Sequence, residues 1–287
     1  MGAIEVINVQ VDASRVAAME PNIWLGKLGA VLEPKEAIER IIFMPPLFVN
    51  VFCLPPRLRR LGLLRGTQAM SLLRPLRAAS VFFAYPEMEL GKLPWAVMHD
   101  RAEALLREGL GALARNSSAT VLTTVLADHP RIHWESWPER GDLYHSVQTI
   151  RPDGDPVAAL RQRRPHTSFG SAFAVDPEDS QPGLCLDAGS LRVAIHWDAS
   201  SVSGAAFSGN PKVVWCPHVD PKARQSEPAV LLRGNAGVHA VVRTSACRPG
   251  MPRAALAVHR DDGGVELMAA EESVAPGIRI ARHAFIL

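Results

Sequence analysis

The chain has 287 residues, of which 47% are apolar and 21% charged, and its formal net charge at pH 7 is +2. These values are typical of a globular protein with a substantial core, and they exclude a disordered chain. Four cysteines are too few for a disulfide scaffold at this length, so we expect reduced thiols.

The N-terminal half mixes strand and helix patterns. Short runs rich in strand-forming residues predict strands over residues 4–11, 80–85 and 120–127. Residues 94–115 predict a helix instead, because apolar side chains recur there at helical spacing along one stripe. The stripe consists of Met98, Ala102, Leu106, Leu110 and Leu113. We expect this helix to pack its stripe into the core.

Positive charge is concentrated in residues 40–86, which contain seven arginines, no lysine and no acidic residue. Residues 55–77 within it predict a basic amphipathic segment of two short helices, which Gly66 and Thr67 separate and Pro75 bends or ends. Clustered guanidinium groups bind anions such as phosphate, carboxylates or a charged lipid surface. The predicted contacts to nucleic acid or a partner are Arg57, Arg59, Arg60, Arg65, Arg74, Arg77 and, from a second basic group, Arg161, Arg163 and Arg164.

The second half reads as a connector followed by strands. Residues 151–183 are rich in Pro, Asp, Ser and Arg and predict an irregular connector with a short helix at 157–163. Strands are predicted at 191–197, 212–215, 229–232, 238–243, 254–259, 265–268 and 278–286, and the Asp-Asp-Gly-Gly sequence at 261–264 predicts a hairpin turn.

These patterns predict an α+β fold. A mixed region would occupy residues 1–150, the connector would follow at 151–183, and a β-sandwich or jelly-roll-like domain would occupy 184–287.

Alternate positions near residue 216 offer the best candidate metal ligands. Cys216, His218 and Asp220 would share one face of a strand, and all three side chain types bind zinc. His196 and Asp198 have the same spacing, and His196 could complete the site. Paired polar residues at this spacing also arise by chance in a β-rich chain, so we predict no metal or other cofactor and keep zinc as an alternative.

A cysteine nucleophile is a second chemical interpretation of the same region. Cys216 or Cys185 could pair with His196 or His218, which would act as the base. The alternative function is therefore a hydrolase, possibly zinc-dependent, around His196, Asp198, Cys216 and His218. His133 with Glu135 and His99 with Asp100 also suggest acid–base pairs, although a solvated strand end and a helix start explain them more simply.

No common catalytic motif occurs, so the arginines decide the leading hypothesis. We expect a non-enzymatic structural subunit of a large assembly, in the manner of a viral or phage-like particle protein, which self-associates and contacts nucleic acid through arginine. A peripheral membrane protein that uses residues 41–77 is a further possibility. Neither a transmembrane segment nor a signal peptide is evident, which favours an intracellular location or one within a particle.

Overall fold

The fold was obtained as a computed structural model, which describes most of the chain. The described residues are 2–16, 18–34, 38–61, 63–84, 93–127, 144–161, 185–196, 209–218, 228–235, 237–245, 254–260, 262–272 and 275–286. Two β-sheets lie face to face, and helices cover their outer faces.

The first sheet contains seven strands, of which three are parallel. The strands are β1 (Ala3–Val11), β2 (Glu39–Phe43), β3 (Ala119–Ala127), β4 (Tyr144–Ile150), β5 (Pro156–Arg161), β12 (Glu271–Glu272) and β13 (Ile278–Ile286). Their order is β12-β13-β1-β2-β3-β4-β5. The strands β1, β2 and β3 are parallel to one another, and the remaining neighbours are antiparallel.

The second sheet repeats this plan with six strands. They are β6 (Cys185–Ala188), β7 (Leu191–Ile195), β8 (Val213–His218), β9 (Ala240–Ser245), β10 (Ala255–His259) and β11 (Val265–Leu267). Their order is β11-β10-β9-β8-β7-β6, and β7, β8 and β9 are parallel. The predicted hairpin is confirmed, because β10 and β11 are antiparallel and Gly263 in the turn has φ 80°.

Most of the helices cover the first sheet. They are α1 (Ala13–Val16), α2 (Pro21–Val31), α3 (Phe48–Phe52), α4 (Pro56–Arg59), α5 (Leu63–Leu73), α6 (Pro75–Ala84), α7 (Leu93–Ala104) and α8 (Gly111–Ser117), while α9 (Pro228–Arg233) packs on the second sheet. Over the residues described, none of these helices is both long and apolar enough to cross a membrane.

Apolar residues on both faces of the strands explain the layers. In β1, Ile4 and Val6 face the second sheet, while Ile7 and Val9 face the helices, and all four are buried. A strand buried on both faces is typical of a sheet that is covered on both sides. Between the sheets, Phe43 packs edge-on against Trp215 with ring centroids 5.6 Å apart.

The predicted helix over residues 94–115 is confirmed. A continuous helical segment runs from Leu93 to Ser117, with a π-helical turn at Leu105–Leu110 between α7 and α8. Every residue of the predicted apolar stripe is buried. Ser118, in the left-handed conformation with φ 48°, ends the segment.

Three short elements were predicted with the wrong type. Residues 80–84 belong to helix α6 and residues 229–232 to helix α9, although both were predicted as strands. Conversely, the helix predicted at 157–163 is strand β5 as far as residue 161, because it pairs with β4. Short apolar runs have the length of a strand or of two helical turns, so their periodicity does not decide between them.

Gly66 lies inside α5 and does not separate two helices as predicted. A Cβ at this position would lie 2.7 Å from the backbone oxygen of Leu58, which belongs to α4. The glycine therefore permits a close approach of α4 and α5. Pro75 marks a helix end as predicted, because α5 ends at Leu73, and it then begins α6 at the helix position that tolerates proline best.

The fold is sandwich-like and not clearly a jelly roll, and the C-terminal half does not form the sandwich alone. The last strand, β13, pairs with β1 along its whole length, so residues from both ends of the chain share the first sheet. The mixed α+β class is confirmed. The division near residue 183 stays a prediction.

Candidate functional site

The carboxyl ends of six parallel strands meet at one edge of the sandwich. Near the starts of β7 and β2, the backbone N–H and hydroxyl of Ser190 donate to the Glu39 carboxylate. Near the ends of β1 and β9, the amide nitrogen of Asn8 donates to the carbonyls of Arg243 and Ala255 at 3.2 and 3.0 Å. The two parallel groups therefore run in the same direction. In open parallel sheets, ligands bind outside such carboxyl ends.

Cys216, near the end of β8, lies in one row with His196 and Arg243. The register pairs Ile195 with Trp215 and Cys216 with Arg243, and the His196 N–H donates to the Trp215 carbonyl at 2.8 Å. Neighbouring strands lie about 4.8 Å apart, so the thiol has an imidazole residue on one side and a guanidinium residue on the other.

This row lies on the outer face of the second sheet. Val214 and Cys216 pack with the small core under α9, whereas Trp215 between them points to the first sheet. Continuing the alternation one residue past β7 puts His196 on the face of Ala194 and Cys216. Cys216 is half-buried and His196 is buried, with 6% of its surface exposed. A thiol beside a base and a cation is the arrangement that activates cysteine as a nucleophile.

The inner face of the same edge is filled by aromatic and hydroxyl side chains. The indole N–H of Trp215 donates to the hydroxyl of Thr244 at 2.8 Å, and both residues are fully buried.

Beyond β2, Leu47 has φ 57° and its N–H donates to the Thr124 carbonyl at 2.9 Å. A non-glycine residue in this conformation is strained, and such strain is typical of functional regions.

The other described cysteines have less suitable surroundings. Cys53 is buried in the helical layer, where desolvation raises the pKa of its thiol to about 12, and its Sγ donates to the Asn50 carbonyl. Cys185 lies on β6 opposite Ala194, and burial raises its pKa as well. A raised pKa disfavours the thiolate, which is the reactive form. Cys247 lies outside the described residues.

Only some of the candidate zinc ligands lie in the described part of the chain. Asp198 and Asp220 lie outside the described residues, and so do His133 and Glu135. The backbone of His218 ends β8 opposite Ser245. Within the described ranges, no group of three His, Cys, Asp or Glu side chains comes together in a way that could hold a metal ion.

The predicted anion-binding arginines differ in burial and in their partners. Arg57, Arg60 and Arg65 are exposed, whereas Arg74 is half-buried. Arg77 donates to the Asp100 carboxylate at 2.8 Å, so a carboxylate of its own chain balances its charge. Arg161 lies on β5, and Arg163 and Arg164 lie outside the described residues. Their binding to nucleic acid or a partner stays a prediction.

Arg59 serves the interior of the protein. Its guanidinium donates to the backbone carbonyls of Leu54, Phe52 and Met19, and its carbon lies 4.9 Å from the centroid of the Phe52 ring. Burial lowers its pKa. The residue therefore ties the start of α2 to the α3–α4 region and does not face an external anion.

His99 is a buried helix residue that should make stability depend on pH. Desolvation lowers its pKa below the usual value of 6.5, although Glu103, with Oε2 3.8 Å from Nε2, favours the charged form. As the pH falls, His99 binds a proton in the unfolded chain before it does so in the folded protein. The contribution of neutral His99 to the free energy of unfolding should therefore be fully present above pH 6.5 and decrease as the pH drops towards the lower folded pKa.

We expect a His99→Gln variant to lose this part of the acid dependence. Urea titrations at several pH values measure it, and His259→Gln provides the control because His259 is exposed. A His99→Gln protein whose unfolding free energy still falls as steeply with acid as that of the unchanged protein would contradict the assignment.

The sequence predicted His196 and Cys216 as site residues but did not indicate Arg243, the third member of their row. His196 and Cys216 were predicted from their spacing to Asp198 and His218, whereas Arg243 lies on a later strand and carries no motif. A polar residue at the carboxyl end of a predicted strand is the only signal that could have indicated it.

The chain matches no protein-family model and no curated protein. Several solved structures share its fold, among them a crystal structure of an amidase from Nesterenkonia sp. that covers 99% of this chain and 91% of its own, at 12% identity and a TM-score of 0.50. A mutant of the amidase from Nesterenkonia sp. AN1, with acrylamide added at its active-site cysteine, reaches a TM-score of 0.51 at 13% identity, covering 98% of this chain and 92% of its own. A further mutant, described as nitrilase superfamily, has a TM-score of 0.50 at 12% identity, with 97% and 90% covered.

These similarities correct the leading functional prediction. The structural neighbours are amidases of the nitrilase superfamily, so a non-enzymatic, capsid-like subunit of a viral or phage-like particle is the wrong interpretation. The arginine count misled the prediction, because guanidinium groups such as that of Arg59 also stabilise the interior.

Proposed function

We propose that the protein is a hydrolase that cleaves amide bonds, with Cys216 as nucleophile and His196 as its base. The observation that carries the proposal is the row of His196, Cys216 and Arg243 at the carboxyl edge of the parallel strands. Support comes from the shared fold, because the neighbouring amidase has an active-site cysteine. At 12–13% identity the fold alone is common to both, so the residue roles rest on this chain's geometry.

The proposed reaction has two stages. The Cys216 thiolate forms a bond to the amide carbon, and the C–N bond then breaks as protonated His196 gives its proton to the leaving nitrogen. Water, deprotonated by His196, then attacks the thioester, the C–S bond breaks and a carboxylic acid leaves. Arg243 stabilises the negative charge on sulfur and on the tetrahedral oxygen.

Cys216 is a better candidate than the other described cysteines because of its neighbours. Cys53 is enclosed by apolar helices, and its pKa of about 12 keeps the thiol protonated at neutral pH. Cys185, on β6, lies two strands further from Arg243 than Cys216 does, and burial raises the pKa of its thiol. No step in this scheme requires a metal ion.

Release of ammonia from primary amides tests the proposed activity. The purified protein is incubated with acetamide and longer aliphatic amides, and ammonia and the matching carboxylic acid are quantified. We expect equal amounts of both products for at least one amide, at a rate proportional to protein concentration. An absence of both products with every amide, in protein whose thiols are reduced, would overturn the proposal.

A further inference from the structure

The consecutive helices α5 and α6, which Arg74 joins, expose a concentrated apolar surface. Five of the twelve large apolar side chains that are exposed in the described residues fall within positions 72–83. Four of them project strongly into solvent, with exposed fractions of 81%, 68%, 86% and 79% for Leu72, Leu73, Leu76 and Phe83. Contiguous apolar surface of this kind marks an interaction site, whereas scattered apolar residues do not.

Helical geometry puts these side chains at the junction of α5 and α6 and along one face of α6. Leu72 and Leu73 end α5, and Leu76 follows Pro75 in the first turn of α6. Phe83 lies seven residues after Leu76, which is two helical turns along the same face. The positions between them on this face, Ala79 and Ser80, are exposed and uncharged. We call the surface formed by Leu72, Leu73, Leu76 and Phe83 the α5–α6 surface.

Among the described residues beside the α5–α6 surface, arginines outnumber carboxylates. Arg65 is exposed seven residues before Leu72, on the same face of α5. Arg74 and Arg77 line a shallow cavity of about 420 Å³ beside Leu73 and Leu76, with Asp100 opposite. Asp100 is paired with Arg77, which leaves Arg74 in the cavity and Arg65 outside it as sources of positive charge.

We propose that the α5–α6 surface is a membrane-docking site that binds surfaces rich in anionic lipids. Leu72, Leu73, Leu76 and Phe83 would enter the boundary between head groups and acyl chains, while Arg65 and Arg74 contact lipid phosphates. Apolar residues flanked by arginines are the composition of an interfacial helix. Attachment is peripheral, and it is independent of the proposed hydrolase activity.

The composition of this surface favours a lipid membrane over two other partners, a second copy of the chain and a nucleic acid. A twofold contact between copies would bring Arg65 and Arg74 towards their own counterparts, because such an interface pairs one patch with itself. Residues 40–86 contain no carboxylate, and Asp100 in the adjoining cavity already pairs with Arg77, so neither relieves this repulsion. A nucleic acid would meet the arginines, but projecting leucines offer it neither hydrogen bonds nor an aromatic stacking surface.

Vesicle sedimentation tests the proposal. The full chain is mixed with vesicles of phosphatidylcholine alone or of phosphatidylcholine with phosphatidylglycerol, at low and high salt. We expect binding to the anionic vesicles, weakened by salt, and little binding to the neutral ones. A Leu72→Gln/Leu76→Gln variant should bind the anionic vesicles about tenfold to a hundredfold more weakly. Both residues are mostly exposed, so the fold should survive the change.

The control carries the same chemical change at exposed sites elsewhere. Val230 on α9 and Ile286 on β13 are 60% and 69% exposed, and a Val230→Gln/Ile286→Gln variant should bind vesicles like the unchanged protein. Equal weakening in both variants would overturn the proposal. It would also be overturned if anionic vesicles bound nothing, if Leu72→Gln/Leu76→Gln changed the oligomeric state in sedimentation velocity, or if a single-stranded oligonucleotide bound and the vesicles did not.

Discussion

Replacing Cys216 by alanine should lower the rate of amide hydrolysis by at least about a thousandfold, because the variant lacks the atom that bonds to the carbonyl carbon. The fold should persist, since Cys216 is half-buried at the rim of the small core under α9. Steady-state ammonia release per folded protein measures the effect. A His196→Gln variant should lose about a hundredfold or more, because the thiol then has no base beside it.

The matched control for this prediction is Cys185→Ala. Cys185 lies on the same sheet and also borders the core under α9, but it pairs with Ala194 on β7 and has no cation in register. We expect this variant to keep its activity within a few-fold. Loss of activity in Cys185→Ala with retention in Cys216→Ala would show that Cys216 is not the nucleophile.

Replacing Arg59 by methionine should lower the free energy of unfolding by about 3–5 kcal/mol. The guanidinium donates to the carbonyls of Leu54 and Phe52 at 2.8 and 3.0 Å and also to the Met19 carbonyl. Methionine fills a similar volume but leaves these carbonyl oxygens without their donor. Only 8% of Arg59 is exposed, so water cannot replace the lost hydrogen bonds.

Arg57→Met gives the matched control, since Arg57 lies two residues away on α4 and is exposed. Its unfolding free energy should stay within about 0.5 kcal/mol of that of the unchanged protein. Urea unfolding followed by tryptophan fluorescence measures both variants. Similar small losses in the two would show that Arg59 does not tie α2 to the α3–α4 region.

Periodicity in the sequence was sufficient where an element is long or is bounded by clear turns. In the helix over residues 94–115, all five residues of the predicted apolar stripe are buried. The alternating strands around Gly263 were found because Asp-Gly sequences favour tight turns. The prediction of strands at residues 80–84 and 229–232 was wrong, because a run of four or five mostly apolar residues can pack against a core as a helix or as a strand.

The sequence could indicate the candidate site only in part, because strand register brings its members together. His196 and Cys216 are twenty positions apart, and Arg243 follows much later, yet parallel pairing of β7, β8 and β9 makes them neighbours. Parallel order depends on crossover connections that local patterns do not specify. The functional interpretation of the arginine segment was wrong for another reason. Its composition is conspicuous in the sequence, but the composition does not show that each arginine has a different environment.

Mapping the residue that acrylamide modifies tests the central claim most directly. A mutant of the neighbouring amidase carries such an adduct at its active-site cysteine. After brief exposure of the folded protein to acrylamide, peptide mass spectrometry should find the adduct on Cys216 well before Cys53, Cys185 or Cys247, and His196→Gln should slow it. Modification of Cys216 no faster than that of Cys185, or only after unfolding, would contradict the claim that this thiol is the activated nucleophile.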